Sequence, residues 1–424
     1  EISCSLVGSE MCIRDRGYTA QLGGAYTPAG EKLDDVVALV YRGPKSYTGE
    51  DVVELFCHGG LYVTKRLLQL VLDAGAAPAG PGEFTRRAFL NGKMDLAQAE
   101  AVMGLISASG EQSRKAALAG STGVLSRKIE SIKQGLLEQA AHLAAWADFP
   151  EEDVPQVEEA ALLEGIRQGE KALEELLQGF DRGRMYREGL VTVIAGRPNA
   201  GKSTLMNLLS GCQRSIVTQY AGTTRDVVEE TVMVAGVPLR LADTAGIRDT
   251  DDPVESIGVQ AARQRLETAQ LVLAVFDSSQ ALEKEDWELM DALEKVPAIA
   301  IVNKSDLPTR MDVEAIQKRF EKTVSLSAAT GEGLAALEQA LSEILDTKDF
   351  HPQEGVLFTQ RQRMDAQTAL DSLREGEQAL VLGLTLDAVT VCVEDALHAL
   401  AALTGEQVSE EIVDRVFEEF CVGK

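Results

Sequence analysis

The chain has 424 residues, and at roughly 100–200 residues per domain this length predicts two to four domains. Its 41 basic and 67 acidic side chains give a formal net charge of −26, which argues against broad, nonspecific coating of nucleic acid. Apolar residues make up 45% and charged residues 25%, proportions that are typical of a packed globular protein and exclude wholesale disorder. No apolar run approaches the roughly 18 residues of a membrane-spanning helix, so we do not expect an integral membrane protein.

Residues 1–16 show neither helical nor strand periodicity, and they lack the apolar core of a signal peptide. We interpret this segment as a scar or sequence artefact in place of a true N-terminus, and we exclude it from the fold prediction. The six cysteines are scattered, without a C-x-x-C pair or a cysteine-dense segment. A disulfide framework or a zinc knuckle is therefore not expected, and a reducing cytoplasm is the simplest compartment.

The remaining chain divides into four blocks by its residue pattern. Residues 17–93 contain short β-rich runs separated by Gly/Pro turns, which predicts an α+β domain. Residues 94–189 and 351–424 carry apolar residues at helical spacing, with Asp95 as a candidate N-cap of the first helix. Residues 190–350 alternate strands with helices, which predicts a parallel sheet with crossover helices. The expected architecture is multidomain: an N-terminal α+β domain, a split all-α helical domain and an inserted α/β domain.

The strands of the α/β block are predicted from short apolar runs of the buried type. These runs are 190–195, 237–242, 271–276, 298–302 and 323–326. In the last block, residues 380–403 and 412–420 form apolar-striped segments that predict helices.

Residues 196–203 fit the pattern G-x-x-x-x-G-K-[ST], follow a predicted strand and open a helix. The glycines allow backbone N–H groups to surround phosphates at a helix N-terminus. We expect Lys202 to reach the β- and γ-phosphates and the hydroxyl of Ser203 to bind Mg²⁺. The predicted nucleotide contacts in this loop are Asn199, Ala200, Gly201, Lys202, Ser203 and Thr204.

Three further motifs follow strands of the same block, in the order found in guanine-nucleotide switches. Asp243-Thr244-Ala245-Gly246 offers a carboxylate for Mg²⁺-bound water and an N–H that can sense the γ-phosphate. In Asn303-Lys304-Ser305-Asp306, the carboxylate of Asp306 can accept the two hydrogen bonds that guanine donates and adenine does not. Ser327-Ala328-Ala329 can contact the base through its backbone. The four motifs together predict a Ras-like P-loop GTPase domain that is specific for guanine.

The loop after the first helix of this block carries Gly222-Thr223-Thr224, at the position of switch I. Thr224 is the predicted second protein ligand of Mg²⁺. Ile247 directly follows Gly246, at the position where Ras-like enzymes carry the glutamine that orients the attacking water. Because an apolar side chain cannot orient water, another group must perform this task.

With these motifs the chain resembles the MnmE (TrmE) family of tRNA-modifying GTPases from about residue 17 to the C-terminus. The resemblance rests on the segments GRPNAGKST, AGTTRD, DTAGIR, NKSD, GEDVVELFCHGG, PGEFTRRAFLNGKMDLAQAEA and the terminal FCVGK. It implies GTP hydrolysis during addition of carboxymethylaminomethyl or aminomethyl groups to C5 of the wobble uridine (U34) of certain tRNAs. It also implies a tetrahydrofolate one-carbon donor, a homodimer, and a flavin-dependent partner, MnmG (GidA), in a heterotetramer.

The resemblance further implies that the G domains dimerise across their nucleotide faces with potassium bound. Asn199 matches a K⁺ ligand of the family, and the loop before switch I supplies the others. The implied K⁺ ligands there are Thr218, Tyr220 and Thr223, and Gln219, Ala221 and Gly222 complete the nucleotide-contacting loop. Glu255 matches the family residue that orients the attacking water.

For the folate site, the resemblance implies contacts to 5-formyl-tetrahydrofolate from Glu54, Lys93 and Lys424. It also implies a role for Cys421 near the folate and uridine chemistry, whereas the residues alone leave open an idle or buried thiol. Family members begin with a Gly/Arg-rich strand that contributes an arginine to this pocket, and residues 1–16 do not match that strand.

The main alternative is a ribosome-assembly or RNA-binding switch GTPase of the Era or Der kind, whose output is binding. Such proteins usually append a basic RNA-binding module, whereas both helical blocks here are acidic. A folate-dependent methyltransferase acting alone is a weaker alternative. The chain lacks a G-x-G-x-x-G flavin fingerprint after a strand, so a partner must supply the reductive chemistry. Because nearly all excess acid lies outside residues 1–93, we expect the flavin partner to supply much of the tRNA-binding surface.

Overall fold

The computed structural model describes residues 18–108, 110–148, 159–212, 230–241, 269–294, 296–345, 354–418 and 420. Its strands and helices are, in chain order, β1 (Thr19–Tyr26), β2 (Lys32–Tyr41), β3 (Val52–Phe56), α1 (Leu61–Asp73), α2 (Glu83–Leu90), α3 (Leu96–Ile106), α4 (Glu111–Ser121), α5 (Val124–Asp148), α6 (Glu159–Glu188), β4 (Leu190–Gly196), α7 (Lys202–Cys212), β5 (Glu230–Val234), β6 (Val237–Leu241), β7 (Leu271–Asp277), α8 (Lys284–Ala292), β8 (Ala298–Asn303), α9 (Val313–Gln317), β9 (Lys322–Ser325), α10 (Leu334–Ile344), α11 (Gln360–Val381), α12 (Leu386–Thr404) and α13 (Glu410–Glu418). None of these helices combines the length and apolar composition that crossing a bilayer requires.

Contacts within the chain define two compact units, one of residues 1–103 with 397–424 and one of residues 104–396. The first unit holds an antiparallel sheet in which β2 lies between β1 and β3. Along β2 the side chains of Val36, Ala38 and Val40 are buried, because alternate residues of a strand point to the same face. This α+β layout confirms the fold class that was predicted for the N-terminal block.

Asp95 caps α3, as the sequence predicted. The Gln98 N–H donates to Asp95 Oδ1 at 2.8 Å, and the Asp95 N–H donates to Gln98 Oε1 at 2.9 Å. These reciprocal bonds satisfy donors that a helix N-terminus otherwise leaves unpaired. The helix buries Leu96 and Ala99 in a small core, whose other buried members are Val413, Phe417 and Phe420. The C-terminal helix α13 is thereby tied to the first unit.

The second unit combines long helices with a six-stranded sheet. In α6, Leu162, Ile166, Leu173 and Leu176 are buried at helical spacing. The same helix forms surface ion pairs with α11, for example between Arg167 and Glu377 at 2.7 Å. The two helices come from sequence blocks on either side of the strands, which confirms the split helical domain with an inserted α/β domain. The boundaries predicted for the individual domains stay a prediction.

The sheet of the second unit has the strand order β5–β6–β4–β7–β8–β9. Strands β6, β4, β7, β8 and β9 are parallel neighbours, and β5 joins β6 as an antiparallel hairpin. Every residue of β8 and all but the last of β7 are buried, which explains their continuous apolar sequence. The five predicted strands are confirmed within one or two residues at their ends.

The apolar-striped segment at residues 380–403 is largely helical, as predicted, and it is divided between two helices. Helix α11 ends at Val381, and α12 begins at Leu386. Between them Gly383 has a φ of +68°, and its N–H donates to the Leu380 carbonyl oxygen at 3.0 Å. A glycine in the left-handed region closes the last helical turn and overrides an apolar periodicity that continues across it.

Candidate nucleotide-binding site

The loop between β4 and α7 carries the residues that were predicted to bind phosphate. Asn199 and Gly201 have φ angles of +59° and +98°, so the backbone turns sharply just before α7 begins. Ser203 and Thr204 are exposed in the first turn of α7. Because the first N–H groups of a helix have no partner within it, this turn offers hydrogen-bond donors to an anion.

Lys202 lies within the curve of this loop. Its Nζ donates to the carbonyl oxygen of Gly196 at 2.9 Å and to that of Arg197 at 2.7 Å. The ammonium charge is therefore held by the backbone of the loop itself. Such a position suits an interaction with phosphate oxygens, for which lysine acts as a point charge.

Asn303, at the end of β8, joins the phosphate-binding loop to the loop after β9. Its Nδ2 donates to the Ala200 carbonyl oxygen at 2.8 Å, and its Oδ1 accepts from the Ala328 N–H at 2.9 Å. The residue is only 2% exposed. Asn303 and Ala328 were predicted to contact the nucleotide, and in the structure these polar groups hold two loops together. Gly201 lies so close that a Cβ there would be 2.1 Å from Asn303 Nδ2.

Asp306 is oriented by the loop after β9. The hydroxyl of the buried Ser327 donates to Asp306 Oδ1 at 2.6 Å, and the Ser305 N–H donates to the Leu326 carbonyl oxygen at 3.3 Å. Asp306 itself is exposed, so its carboxylate is both fixed and accessible. In the loop after β9, Ala329 is exposed as well. The predicted base-recognition residues are therefore brought together at one edge of the sheet.

Lys304 pairs with Asp277, which ends β7. The Lys304 Nζ lies 2.6 Å from Asp277 Oδ2, and the N–H and hydroxyl of Ser279 both donate to Asp277 Oδ1. Burial raises the pKa of the Asp277 carboxyl, but the hydrogen bonds from Lys304 and Ser279 outweigh burial and lower it below its ordinary value. Asp277 is therefore an anion that holds a cation at the base-recognition edge.

Sequence reasoning missed two residues of this site, Asp277 and Arg197. Arg197 occupies a variable position of the loop pattern, and its partners Glu283 and Asp286 lie at the start of α8, more than 80 residues away. A usable signal for Asp277 was present, since an acidic residue directly follows a fully apolar strand. No comparable signal marked Arg197.

Several predicted residues lie outside the described part of the chain. They are Thr218, Gln219, Tyr220, Ala221, Gly222, Thr223, Thr224, Asp243, Thr244, Ala245, Gly246, Glu255, Cys421 and Lys424. Within the described ranges no group of three or more His, Cys, Asp or Glu side chains could hold a metal ion. Ser203 and Asn199 are thus the predicted metal ligands whose positions are known, and both are exposed at the loop.

The two described folate candidates lie in the first unit. Glu54 is on β3, and its Oε2 accepts from the Tyr41 hydroxyl at 3.2 Å across the strand pair. Lys93 follows α2, and its Nζ donates to the Pro44 carbonyl oxygen at 2.9 Å. Both side chains are held by neighbours at the surface of the unit.

Two family models match nearly the whole chain. The model described as MnmE helical domain matches residues 96–421, and the model described as GTP-binding protein TrmE N-terminus matches residues 4–93. The second match includes residues 4–16, which we had excluded from the fold prediction.

Curated relatives extend this similarity. A protein called tRNA modification GTPase MnmE from Symbiobacterium thermophilum is 44% identical over 412 residues, 96% of this chain and 90% of the relative. The protein of the same name from Alkaliphilus oremlandii is 42% identical over 406 residues, 95% of this chain and 88% of the relative.

Two solved structures are similar in sequence to part of the chain. The G domain of the Thermotoga maritima FeoB iron transporter is 25% identical, with a TM-score of 0.28, and covers 37% of this chain and 98% of its own. An Era variant from Aquifex aeolicus bound to GDP and AlF4⁻ is 27% identical, with a TM-score of 0.29, and covers 46% of this chain and 67% of its own.

Proposed function

The chain belongs to the MnmE family of tRNA modification GTPases, and from this membership we propose that it is a potassium-stimulated GTPase that modifies wobble uridine with a flavin-dependent partner. The membership confirms the resemblance that the motifs indicated, and with it the class of enzyme, a GTP hydrolase in tRNA modification. The proposal extends this class to the cation, the folate donor, the partner and the modified position, U34.

The observation that carries the proposal is the joining of phosphate and base recognition through Asn303. Its side chain links Ala200 of the phosphate-binding loop to Ala328 of the base-recognition loop. Asp306, held by Ser327, then presents a carboxylate to the two donors of a guanine edge. A purine nucleotide that reaches both loops would be selected for guanine at one end and for phosphate at the other.

Replacing Asp306 by Asn tests the guanine assignment. The amide can donate to the carbonyl oxygen that xanthine carries in place of the guanine amino group, so binding should shift from GTP to XTP. Competition against a fluorescent nucleotide would measure this shift. Asp312→Asn is a matched control, because Asp312 caps α9 through the Ala315 N–H and asparagine caps equally well. Unchanged GTP preference in Asp306→Asn would contradict the assignment.

For the metal ions, we propose that Ser203 and Thr224 bind Mg²⁺ and that Asn199, Thr218, Tyr220 and Thr223 bind K⁺. The exposed amide of Asn199 fits an oxygen-ligated cation beside phosphate, where added positive charge stabilises the transition state of hydrolysis. Replacing Na⁺ by K⁺ should raise kcat sharply, and Asn199→Ala should weaken that response. A rate that is indifferent to the cation would contradict this part of the proposal.

Glu255 is the proposed residue that orients the attacking water, because Ile247 cannot. Glu255→Ala should lower kcat while leaving the Kd of a nonhydrolysable GTP analogue unchanged. Glu288→Gln on α8 is a suitable control, since that exposed carboxylate pairs with Lys284 along its own helix. A variant that loses nucleotide affinity as well would instead assign Glu255 to binding.

For folate, we propose that Glu54, Lys93 and Lys424 bind 5-formyl-tetrahydrofolate, with Cys421 near its one-carbon unit. A carboxylate at Glu54 can accept from the pterin amino and N–H groups, and lysines can neutralise the folate carboxylates. Calorimetric titration of wild type and Glu54→Gln with 5-formyl-tetrahydrofolate tests this. Equal affinity of the two proteins would exclude Glu54 from the site.

We propose that the protein acts as a homodimer and that MnmG supplies the flavin and much of the tRNA surface. The net charge of −26 supports this division of labour, because a large phosphate-binding face on this chain would need an excess of Lys and Arg. Mass spectrometry of tRNA nucleosides from a deletion strain should detect undermodified U34. Normal modification in that strain would favour a binding switch of the Era or Der kind.

A further inference from the structure

Arg197 of the phosphate-binding loop is anchored to the start of α8. Its Nη1 lies 2.9 Å from Asp286 Oδ2, and its Nη2 lies 2.9 Å from Glu283 Oε1 and 3.2 Å from Gln280 Oε1. The arginine side chain is only 17% exposed. The guanidinium N–H groups therefore donate to protein oxygens, so this side chain is poorly placed to bind phosphate itself.

Asp286 has two tasks at once. It is only 5% exposed, and its Oδ2 accepts both from Arg197 and from the Glu283 N–H at 3.0 Å. The second bond is part of the capping box that starts α8. A buried carboxylate of this kind needs a paired cation, and Arg197 supplies it. The helix start and the phosphate-binding loop are thus held by one carboxylate.

The backbone of Arg197 connects this anchor to the phosphate site. Its carbonyl oxygen accepts from Lys202 Nζ at 2.7 Å and from the Ala200 N–H at 3.3 Å. A shift of Arg197 would therefore move an acceptor that orients Lys202. Because Lys202 and the loop N–H groups are the predicted phosphate contacts, their arrangement depends on the pairing of Arg197.

An equivalent arrangement holds the base-recognition lysine. Lys304 has a φ of +61°, and its two ends are fixed separately: Nζ by Asp277 at 2.6 Å and the carbonyl oxygen by the Ser278 hydroxyl at 3.0 Å. Asp277 and Asp286 line one crevice together with Arg197, Pro198, Ala200 and Gln280.

We propose that residues 277–286, which we call the anchor segment, position the two lysines that flank the nucleotide site, Lys202 and Lys304. Asp286 positions Arg197, and the Arg197 carbonyl oxygen in turn orients Lys202. Asp277 positions Lys304 directly. Both acids are positioning residues, since each acts through a neighbouring cation rather than on the nucleotide. This inference rests on the nucleotide site proposed above and adds the elements that preorganise it.

The two anchors should have separable effects on binding. Loss of the Asp286 anchor should weaken nucleotide binding in proportion to the number of phosphate contacts. The affinity for GDP should therefore fall more than the affinity for GMP. Loss of the Asp277 anchor should lower the affinities for GDP and GMP by the same factor, because Lys304 lies at the base-recognition edge. A charge-assisted hydrogen bond that preorganises a site accounts for about a tenfold change in affinity.

The test measures displacement of a fluorescent GDP analogue by GDP, GTP and GMP from the full-length protein. Asp286→Asn should lower the affinities for GDP and GTP about tenfold and reduce the ratio of GDP to GMP affinity. Asp277→Asn should leave that ratio unchanged. Glu288→Gln, on the same helix but paired with Lys284, is the control. Circular dichroism melting verifies that each variant is folded.

A double-mutant cycle distinguishes positioning from a general loss of structure. If Asp286 acts through Arg197, then Asp286→Asn should have almost no further effect on GDP affinity in an Arg197→Met background. Arg197→Met also covers the case in which Asp286→Asn does not fold. Wild-type affinity in both single variants, or strictly additive losses, would overturn the inference while the proposed function stands. Failure of the wild type to bind GDP would overturn both.

Discussion

Replacing Gly201 by Ala should damage the nucleotide site at its most crowded point. Gly201 has a φ of +98°, a conformation that L-residues rarely adopt. A Cβ there would lie 2.1 Å from Asn303 Nδ2, which is well inside van der Waals contact. The Asn303 side chain would have to move by more than its hydrogen bonds allow, and it would separate the two loops that it joins.

The cost can be worked out from these contacts. An alanine forced to an unfavourable φ costs about 1–3 kcal/mol. The broken bond from Asn303 Nδ2 to the Ala200 carbonyl oxygen adds about 1 kcal/mol. The total is about 3 kcal/mol of unfolding free energy, which for a domain of this size lowers the Tm by about 6–12 °C.

Tryptophan fluorescence provides the assay. The chain has two tryptophans, and Trp287 lies on α8 in the α/β part. In a Trp146→Phe background the melting signal would report this part alone. The control is Gly211→Ala, because Gly211 lies within α7 and a Cβ there would meet no atom within 4 Å. It should stabilise the protein by about 0.5–1 kcal/mol. Equal Tm values for the two alanine variants would refute the steric argument.

Three further changes test other parts of the second unit. Gly189→Ala should destabilise by about 2–3 kcal/mol in the same melting assay, because φ is +75° and a Cβ would lie 2.6 Å from the Pro238 carbonyl oxygen. Asp277 has a lowered pKa, so its contribution to stability is complete above its unfolded pKa of about 3.9 and is lost as pH falls through its folded pKa. The Tm difference between wild type and Asp277→Asn should therefore be constant between pH 5 and 8 and vanish in acid; a difference that persists at low pH would argue against the ion pair. Arg187→Met should destabilise the protein by about 1–2 kcal/mol, because the Arg187 guanidinium lies 5.5 and 5.7 Å from two phenylalanine ring centroids. Replacement of the exposed Arg184 by Met should not destabilise it. Equal effects of the two variants would exclude a contribution from the cation–π contacts.

The local chemistry of the nucleotide site could be predicted from the chain alone. The loop pattern at residues 196–203 needs only a strand before it and a helix after it, and β4 and α7 provide both. The strands β7 and β8 were equally predictable, because a strand buried on both faces needs a continuous apolar run. The N-cap at Asp95 follows from hydrogen bonding within four residues.

Other features required the tertiary structure. The end of α11 depended on how Gly383 folds back on Leu380, which apolar periodicity does not report. The link from Asn303 to two loops joins residues that are 103 and 25 positions apart. The pairing of Arg197 with Asp286 spans 89 positions. Patterns of near neighbours determined where the strands, helices and phosphate loop lie, since those depend on local hydrogen bonding and burial. Only the folded chain decided which distant side chains hold that loop in place, because such pairs form when the sheet brings the ends of β4, β7 and β8 together.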